Sequence, residues 1–279
     1  MDSRPKSFSL SIFDKIITVN IESIRLISIL KQVYGSMVVA KTNLQPHLEY
    51  TITENLVDQI DWLTISRPGI DNLITDDIGE FIFFFEKDMT IELQKIRHDL
   101  LFIHSAALEY ESKGLLLVAP SGTGKSTTAW AMINSGFTYL SDELAPVDIN
   151  TMSINPYPHA LCLKSKPPVF ELPDDTLYTS QTIHVPLKSD ATNRHTPLRV
   201  IFFLEFVAGL KEPEILPINA AEAAANLFAN SLNILAHSVK DDGLNVAITL
   251  AKHVRCYKLK SNELEKTCRA VKLLMNTVD

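Results

Sequence analysis

Glycine is scarce in this chain, at 9 of 279 residues, where an ordinary soluble protein carries roughly 7%. Four of the nine, Gly114, Gly122, Gly124 and Gly136, lie close together. Glycine serves where a backbone needs unusual dihedrals or must approach a ligand closely, so the shortage marks one stretch where the main chain does something special. It also excludes collagen-like and linker-like sequences. Cysteine is scarce too. Cys162, Cys256 and Cys268 are far apart and form no C-x-x-C, too little for a disulfide framework, and they read as inert thiols in a reducing compartment. Positive charge is in deficit, with 26 Lys and Arg against 33 Asp and Glu, a net charge of −7 and a pI near 5.6. That is a poor footprint for nonspecific nucleic-acid binding. Long hydrophobic runs are missing as well. The most apolar stretches, such as Phe81–Phe85 and Val200–Leu204, fall far short of the ~18 residues of a membrane span. Met1–Leu10 lacks the apolar core of a secretory signal. The expectation is a cytoplasmic protein with neither nucleic acid nor membrane as a partner.

What is present is enough for a core: 46% hydrophobic and 21% charged residues, in a length that suits one large domain or two smaller ones. Residues 1–95 read as a small α+β N-terminal domain and a candidate for substrate recognition. Ile12–Asn20 is rich in β-branched residues and predicts a strand. Ile24, Ile27, Leu30 and Tyr34 keep helical spacing and stop before Gly35, a helix with a glycine terminator. Phe81–Phe85 predicts a buried strand and Met89–His98 a short helix. The pair Asp76–Asp77 reads as solvated loop charges, and no catalytic constellation stands out in this third. Over 96–279 strands and helices alternate. Strands are expected at Leu101–Tyr110, Leu115–Ala119, Phe137–Leu140 and Val200–Phe206, and a hairpin around Asn150. Residues 165–198 carry five prolines and little periodicity, as a functional loop or lid does. Asn219 with Glu222 resembles a capping box, opening a helix to about Leu235. A helix near Leu244–Val254, a strand at Cys256–Leu259 and an amphipathic helix through Leu264, Cys268, Val271 and Met275 close the chain.

The chemistry concentrates in Ala119–Ser126, APSGTGKS, a phosphate-binding loop pattern with alanine in its first position. Gly122 and Gly124 would let the backbone wrap with its N–H groups inward, an anion nest, and the helix after the loop adds the positive end of its dipole. In such a loop the Lys125 ammonium reaches the terminal phosphates and the Ser126 hydroxyl ligates Mg²⁺. Ser121, Thr123 and Thr127 complete the nucleotide-binding set. Asp142 and Glu143 follow the next strand, on the same sheet edge as the loop. One acid there can hold Mg²⁺, and the other can accept a proton from an attacking hydroxyl or water. His104 alone in an apolar strand reads as a packed core residue.

Residues His104 to Lys164 resemble the catalytic domain of HPr kinase/phosphorylase, and still more the HPr-kinase-related peptide or serine kinases. The shared pattern is a histidine ahead of the loop strand (His104), a loop of the S-G-x-G-K-S kind (Ser121–Ser126) and an acidic pair after the next strand (Asp142, Glu143). The resemblance implies an α/β fold with a P-loop domain related to phosphoenolpyruvate carboxykinase. It implies ATP and Mg²⁺ as cofactors, with Lys125 and the loop amides on the phosphates and Ser126 and Glu143 on the metal. Asp142 becomes the base for a substrate hydroxyl, and His104 the group that orients it. The glycine-rich E-x-R-G-x-G signature of the bifunctional enzyme is absent. Asn155–Lys164 stands there instead, similar to the N-P-x-P…L-x-L-K run of the related kinases, so neither the phosphorylase reaction nor HPr as substrate is expected. Lys164 is a candidate second cation. Arg194 and Arg199 are the candidates to neutralise the transferring group, Arg194 delivered by lid closure.

The expected activity is transfer of the ATP γ-phosphoryl group to a hydroxyl, serine first, of a peptide or protein partner. An ATP hydrolase and a nucleotide-binding module without transfer are the alternatives. A homo-oligomer is compatible with the sequence, and no exposed stripe demands it.

Overall fold

The computed structural model describes residues 6–39, 44–187, 194–233 and 243–278. The chain opens on a hairpin, β1 (Lys6–Ile12) and β2 (Lys15–Ile21), turned by Phe13 and Asp14, both at positive φ. The single strand predicted over 12–20 therefore contains a turn. Two consecutive left-handed residues match the twist of the flanking strands, and no glycine announces them. Helix α1 (Ile24–Tyr34) starts where the Ser23 hydroxyl accepts from the Leu26 N–H at 3.3 Å and stops at Gly35, φ 40°, as predicted. Strands β3 (Val38–Val39), β4 (Leu48–Val57), β5 (Ile60–Ser66) and β6 (Leu73–Thr75) complete a six-stranded sheet in the order β3-β1-β2-β4-β5-β6.

Helix α2 (Ile78–Ile96) overturns one expectation: Phe81–Phe85 lies inside it and is no strand. The signals are local. Asp77 caps the helix by accepting from Glu80 N–H at 2.9 Å, and the Thr75 hydroxyl donates to Glu80 at 2.7 Å. Phe81, Phe85, Met89 and Leu93 make one buried stripe at i,i+4 spacing, while Phe83 within the same run is 52% exposed. A five-residue apolar run does not by itself tell strand from buried helix. Asp77 is thus a helix cap, and the Glu80 backbone N–H holds its carboxyl below the usual range. The sheet, α1 and α2 share one apolar core that extends to Phe102, Leu144 and Tyr157.

The rest of the chain builds a mixed nine-stranded sheet. Its strands are β7 (Leu100–Ile103), β8 (Ser105–Tyr110), β9 (Lys113–Val118), β10 (Thr138–Ser141), β11 (Ala145–Asp148), β12 (Ser153–Ile154), β16 (Thr196–Phe206), β17 (Glu214–Pro217) and β18 (Arg255–Ser261). β16 runs parallel to β9 and β18 and is buried throughout Val200–Leu204. Its first residues pair instead with β12, so it joins two halves of the sheet. This explains a second departure. Leu101–Tyr110 is two strands, β7 in one half and β8 in the other, with His104 at the bend between them. The hairpin around Asn150 forms as predicted, Val147 opposite Ile154, with Asp148 accepting from the N–H groups of Asn150 and Thr151.

Helix α3 (Lys125–Asn134) leaves the loop after β9, and α4 (Ala220–Ala229), α5 (Gly243–His253) and α6 (Leu264–Asn276) follow. Asn219 caps α4 through Glu222 N–H at 2.9 Å, as its sequence predicts. The helix ends at Ala229 because the chain turns back onto β7. Ser231 bridges to Ile103, and the Asn233 amide accepts from Phe102 N–H at 2.6 Å and donates to the Leu100 carbonyl at 3.0 Å. One side chain thereby supplies the edge of β7 with strand-like partners. Residues 234 and 235 of the expected helix lie outside the described residues. In the expected lid, β14 (Leu177–Tyr178) and β15 (Ile183–Val185) join β13 (Leu161–Leu163) in a three-stranded sheet. Trp130 donates to the Phe170 carbonyl and Ser180 to Asp77, so this stretch is built into the fold. Residues 188–193 of it lie outside the described residues. Among the described residues no helix is long and apolar enough to cross a membrane.

Candidate functional site

The loop between β9 and α3 is shaped by two glycines. Gly122 and Gly124 have φ of 86° and 94°, and nothing lies within 4 Å of where a Cβ would stand. They are needed for the dihedral, not for space. Gly124 caps α3 without a side chain, which leaves first-turn amides lacking intrahelical acceptors. Such amides, with the positive end of the helix dipole, suit an anion. Ala119 is buried where the strand turns into the loop. Thr123 braces the loop through the Pro120 carbonyl at 2.9 Å. Ser121, Gly122, Gly124, Lys125, Ser126 and Thr127 line a cleft of about 150 Å³ together with Glu143, Cys162 and Lys164. Of the predicted nucleotide-binding residues Thr123 alone does not line it.

His104 meets Lys125 and Glu143, two residues of this cleft, and bonds them rather than the Asp142 carboxylate that the resemblance has it orient. The Asn230 carbonyl accepts the His104 backbone N–H at 2.8 Å, pinning the bend at which the histidine sits. Lys125 Nζ lies 2.7 Å from His104 Nε2, and Glu143 Oε2 lies 3.2 Å from the same nitrogen. An ammonium only donates and a carboxylate only accepts. Nε2 therefore bonds Lys125 when it is unprotonated and Glu143 when it carries the proton, never both at once. Burial holds the Lys125 ammonium below its ordinary pKa, against the pull of Glu143 and Asp142.

The acidic pair is split by its surroundings. Asp142 is fully buried. One of its oxygens accepts from Cys162 N–H at 3.3 Å, and Oδ1 is buried with no hydrogen-bond partner. Burial first, then the neighbouring Glu143 charge, pushes its carboxyl up, against the opposing pull of Lys125, His159 and the Ser126 hydroxyl. The Glu143 side chain is 45% exposed. Burial acts upward there too, but the His104 hydrogen bond and the Lys125 charge outweigh it and bring the carboxyl down to about 2. Glu143 itself stands at φ 61°. Leu144 N–H donates to the Asp142 carbonyl at 2.6 Å, closing a positive-φ γ-turn, a rare and strained conformation.

Lys164 follows β13 and donates to the Ser121 hydroxyl at 2.7 Å, bridging the cleft wall to the loop. Arg194 is elsewhere. It pairs with Glu109 at the other end of β8 from His104, about 17 Å away at ~3.3 Å per strand residue. Arg199 is at the start of β16, level with the start of β9 and so also at that far end. The structure thus gathers His104, Ser121, Lys125, Ser126, Glu143 and Lys164 around one cleft with Asp142 beneath it, and leaves Arg194 out.

Tyr157, His159 and Cys162 belong to the Asn155–Lys164 run, where His159 reads from the sequence as structural, and Glu86 carries no local sequence signal. Cys162 lines the cleft, its thiol 3.7 Å from His184 Nδ1. Burial raises that thiol well above its ordinary pKa, and burial brings His184 down to about 4, so the two face each other uncharged. Tyr157, His159 and Glu86 lie behind the acidic turn, and only the tertiary fold brings them there.

No protein family matches the sequence, and no curated protein matches it. Among solved structures the chain is similar to the Hpr(Ser) kinase/phosphatase from Coxiella burnetii, at 14% identity and a TM-score of 0.34, over 63% of this chain and 98% of that one.

Proposed function

We propose that this protein is an ATP- and Mg²⁺-dependent kinase that transfers the γ-phosphoryl group to a hydroxyl, serine first, of a peptide or protein. The observation that carries the reading is the pair Asp142 and Glu143 at an anion-binding loop, Asp142 fully buried with Oδ1 unpartnered and Glu143 open to the cleft. Phosphoryl transfer asks a protein mainly for positioning and charge neutralisation, plus one group to take a proton. The loop amides and Lys125 would hold the phosphates. Lys164, already bonded to Ser121, would close over them from the other wall. Phosphate oxygens would take Lys125 from His104, freeing Nε2 to carry its proton toward Glu143. Asp142, whose Oδ1 is unpartnered, would accept the hydroxyl proton.

The donor set fits Mg²⁺. Among the described residues no group of three or more His, Cys, Asp or Glu could cage a metal. Mg²⁺ usually takes one or two protein oxygens beside nucleotide phosphates and water, and Ser126 and Glu143 offer such oxygens at the loop. Bound there, the ion would neutralise phosphate charge.

The test is turnover of γ-labelled ATP with and without serine-containing peptides. Label on a peptide hydroxyl supports the kinase. Label released only as inorganic phosphate, at a rate indifferent to peptide, makes the protein a hydrolase. Binding of Mg·ATP with no turnover makes it a binding module.

A further inference from the structure

Asp142 is held from behind as well as from the cleft. Its backbone carbonyl accepts twice, from Leu144 N–H at 2.6 Å inside the γ-turn and from His159 Nε2 at 2.8 Å. A carbonyl cannot donate, so His159 Nε2 carries a proton. His159 is wholly buried, and its Nδ1 makes no hydrogen bond, the nearby Glu86 Oε1 lying 3.7 Å away. Glu86 accepts from the Tyr157 hydroxyl at 3.1 Å, and the Tyr157 ring packs on His159 with centroids 4.8 Å apart. The backbone around His159 is fixed in turn. Tyr157 N–H donates to the Leu140 carbonyl at 2.9 Å, and Ala160 N–H donates to the Val33 carbonyl, at the end of α1, at 2.7 Å. The chain of contacts thus begins on α1 and α2, in the third of the sequence that has no catalytic constellation of its own.

We propose that His159, packed against Tyr157 with Glu86 beside it, is a positioning residue that sets the Asp142 carboxylate by holding that residue's own carbonyl. The inference rests on the reading of Asp142 as the base. The physical need is clear. Residue 143 is strained at positive φ, and the buried Asp142 carboxyl has an oxygen without a partner, so both the backbone and the side chain are driven to relax. A protonated nitrogen on the carbonyl fixes the peptide plane between residues 142 and 143, and with it the direction in which the Asp142 side chain leaves the backbone. Misplacing a reacting group by about 1 Å can cost ~10²-fold in rate, and supporting contacts of this kind hold such geometry.

The experiment compares wild type with His159→Leu, His159→Gln and Glu86→Gln. A glutamine side chain at this position can place an amide N–H near the position of imidazole Nε2, and leucine cannot. Against a phosphorylatable peptide, His159→Leu is expected to lower kcat by about 10²-fold with the KM for ATP nearly unchanged. His159→Gln is expected to recover about tenfold of that loss, and Glu86→Gln to cost less than His159→Leu. A His159→Leu protein that folds and keeps its kcat overturns the proposal. So does a His159→Gln protein as slow as the leucine variant at equal melting temperature. Nitrogen-15 spectra of the ligand-free protein give a second readout, independent of transfer. They are expected to show a slowly exchanging His159 Nε2–H, and its loss in His159→Leu is expected to shift the Asp142 carboxyl carbon signal. Those signals present with no transfer by wild type leave the positioning contact standing and defeat the kinase reading. Nε2 found unprotonated defeats the positioning contact whatever the activity.

Discussion

The nine-stranded sheet buries a carboxylate at each end, and the two are treated in opposite ways. Glu109, 6% exposed, has both oxygens satisfied: Arg194 donates to one and the Thr196 hydroxyl to the other at 2.6 Å. Asp142, fully buried, has one long hydrogen bond and an oxygen with none. A buried charge that is fully paired locks structure in place, whereas one left short of partners is costly and persists only where something else needs it. The glycines of β9 and its loop divide the same way. A Cβ on Gly114 would meet the Ile154 Cδ1 at 2.7 Å and the Pro197 carbonyl oxygen at 3.0 Å, so packing requires that glycine. Gly122 has open space and a φ of 86°, so backbone shape requires it. One end of the sheet has its buried carboxylate fully paired, and the other keeps a buried carboxylate oxygen without a hydrogen-bond partner.

The largest effect is expected from Lys125→Met, which should lower transfer by about 10³-fold and weaken Mg·ATP binding. Because it removes a buried cation, the ligand-free protein should melt no lower than wild type in calorimetry. A matching collapse in stability would make Lys125 structural and erase the contrast between the two ends.

The glycines come next. Gly114→Ala should cost about 1–3 kcal/mol through overpacking while the folded fraction binds nucleotide normally. Gly122→Ala should cost about 1–2 kcal/mol of backbone strain and lose nucleotide affinity. Denaturant titration paired with nucleotide titration separates the two, and equal loss of affinity in both would break the division.

Arg194→Ala should leave kcat unchanged and lower stability by about 1 kcal/mol, since the arginine is largely solvated and Thr196 still serves Glu109. A tenfold fall in kcat would bring Arg194 to the reacting phosphate after all.

The smallest effect concerns stability against pH. The Asp142 carboxyl is raised in the folded state, so it favours folding below its unfolded pKa of about 3.9. That contribution is lost as pH rises through the folded value. Asp142→Asn should therefore be more stable than wild type at neutral pH by roughly 0.5–2 kcal/mol, and the gap should close in acid. A gap that widens in acid would mean Asp142 gains a stabilising partner on ionising.

Much of the site is legible in the sequence because its parts are local. The loop is a contiguous strand, turn and helix, with its glycines written in place. Asp142 and Glu143 announce themselves by following a strand. Asn219 and Glu222 show their cap within four residues. Other features depend on separation. The FIFFF run is apolar on every side, and its helical state is decided by the Asp77 cap and the stripe continuing to Leu93. His104 is a bend because β7 and β8 belong to different halves of the sheet, which neither strand encodes alone. Nothing near Arg194 says at which end of β8 it will land. Glu86 and His159 stand far apart in sequence and become neighbours only when α2 packs behind the acidic turn.

The most direct test of the central claim is phosphoryl transfer by Asp142→Asn from Mg·ATP to a serine peptide, with nucleotide affinity measured on the same preparation. The expected result is a loss of transfer of about 10²–10⁴-fold with affinity unchanged. Transfer at the wild-type rate would contradict the assignment of Asp142 as the base and, with it, the reading of this cleft.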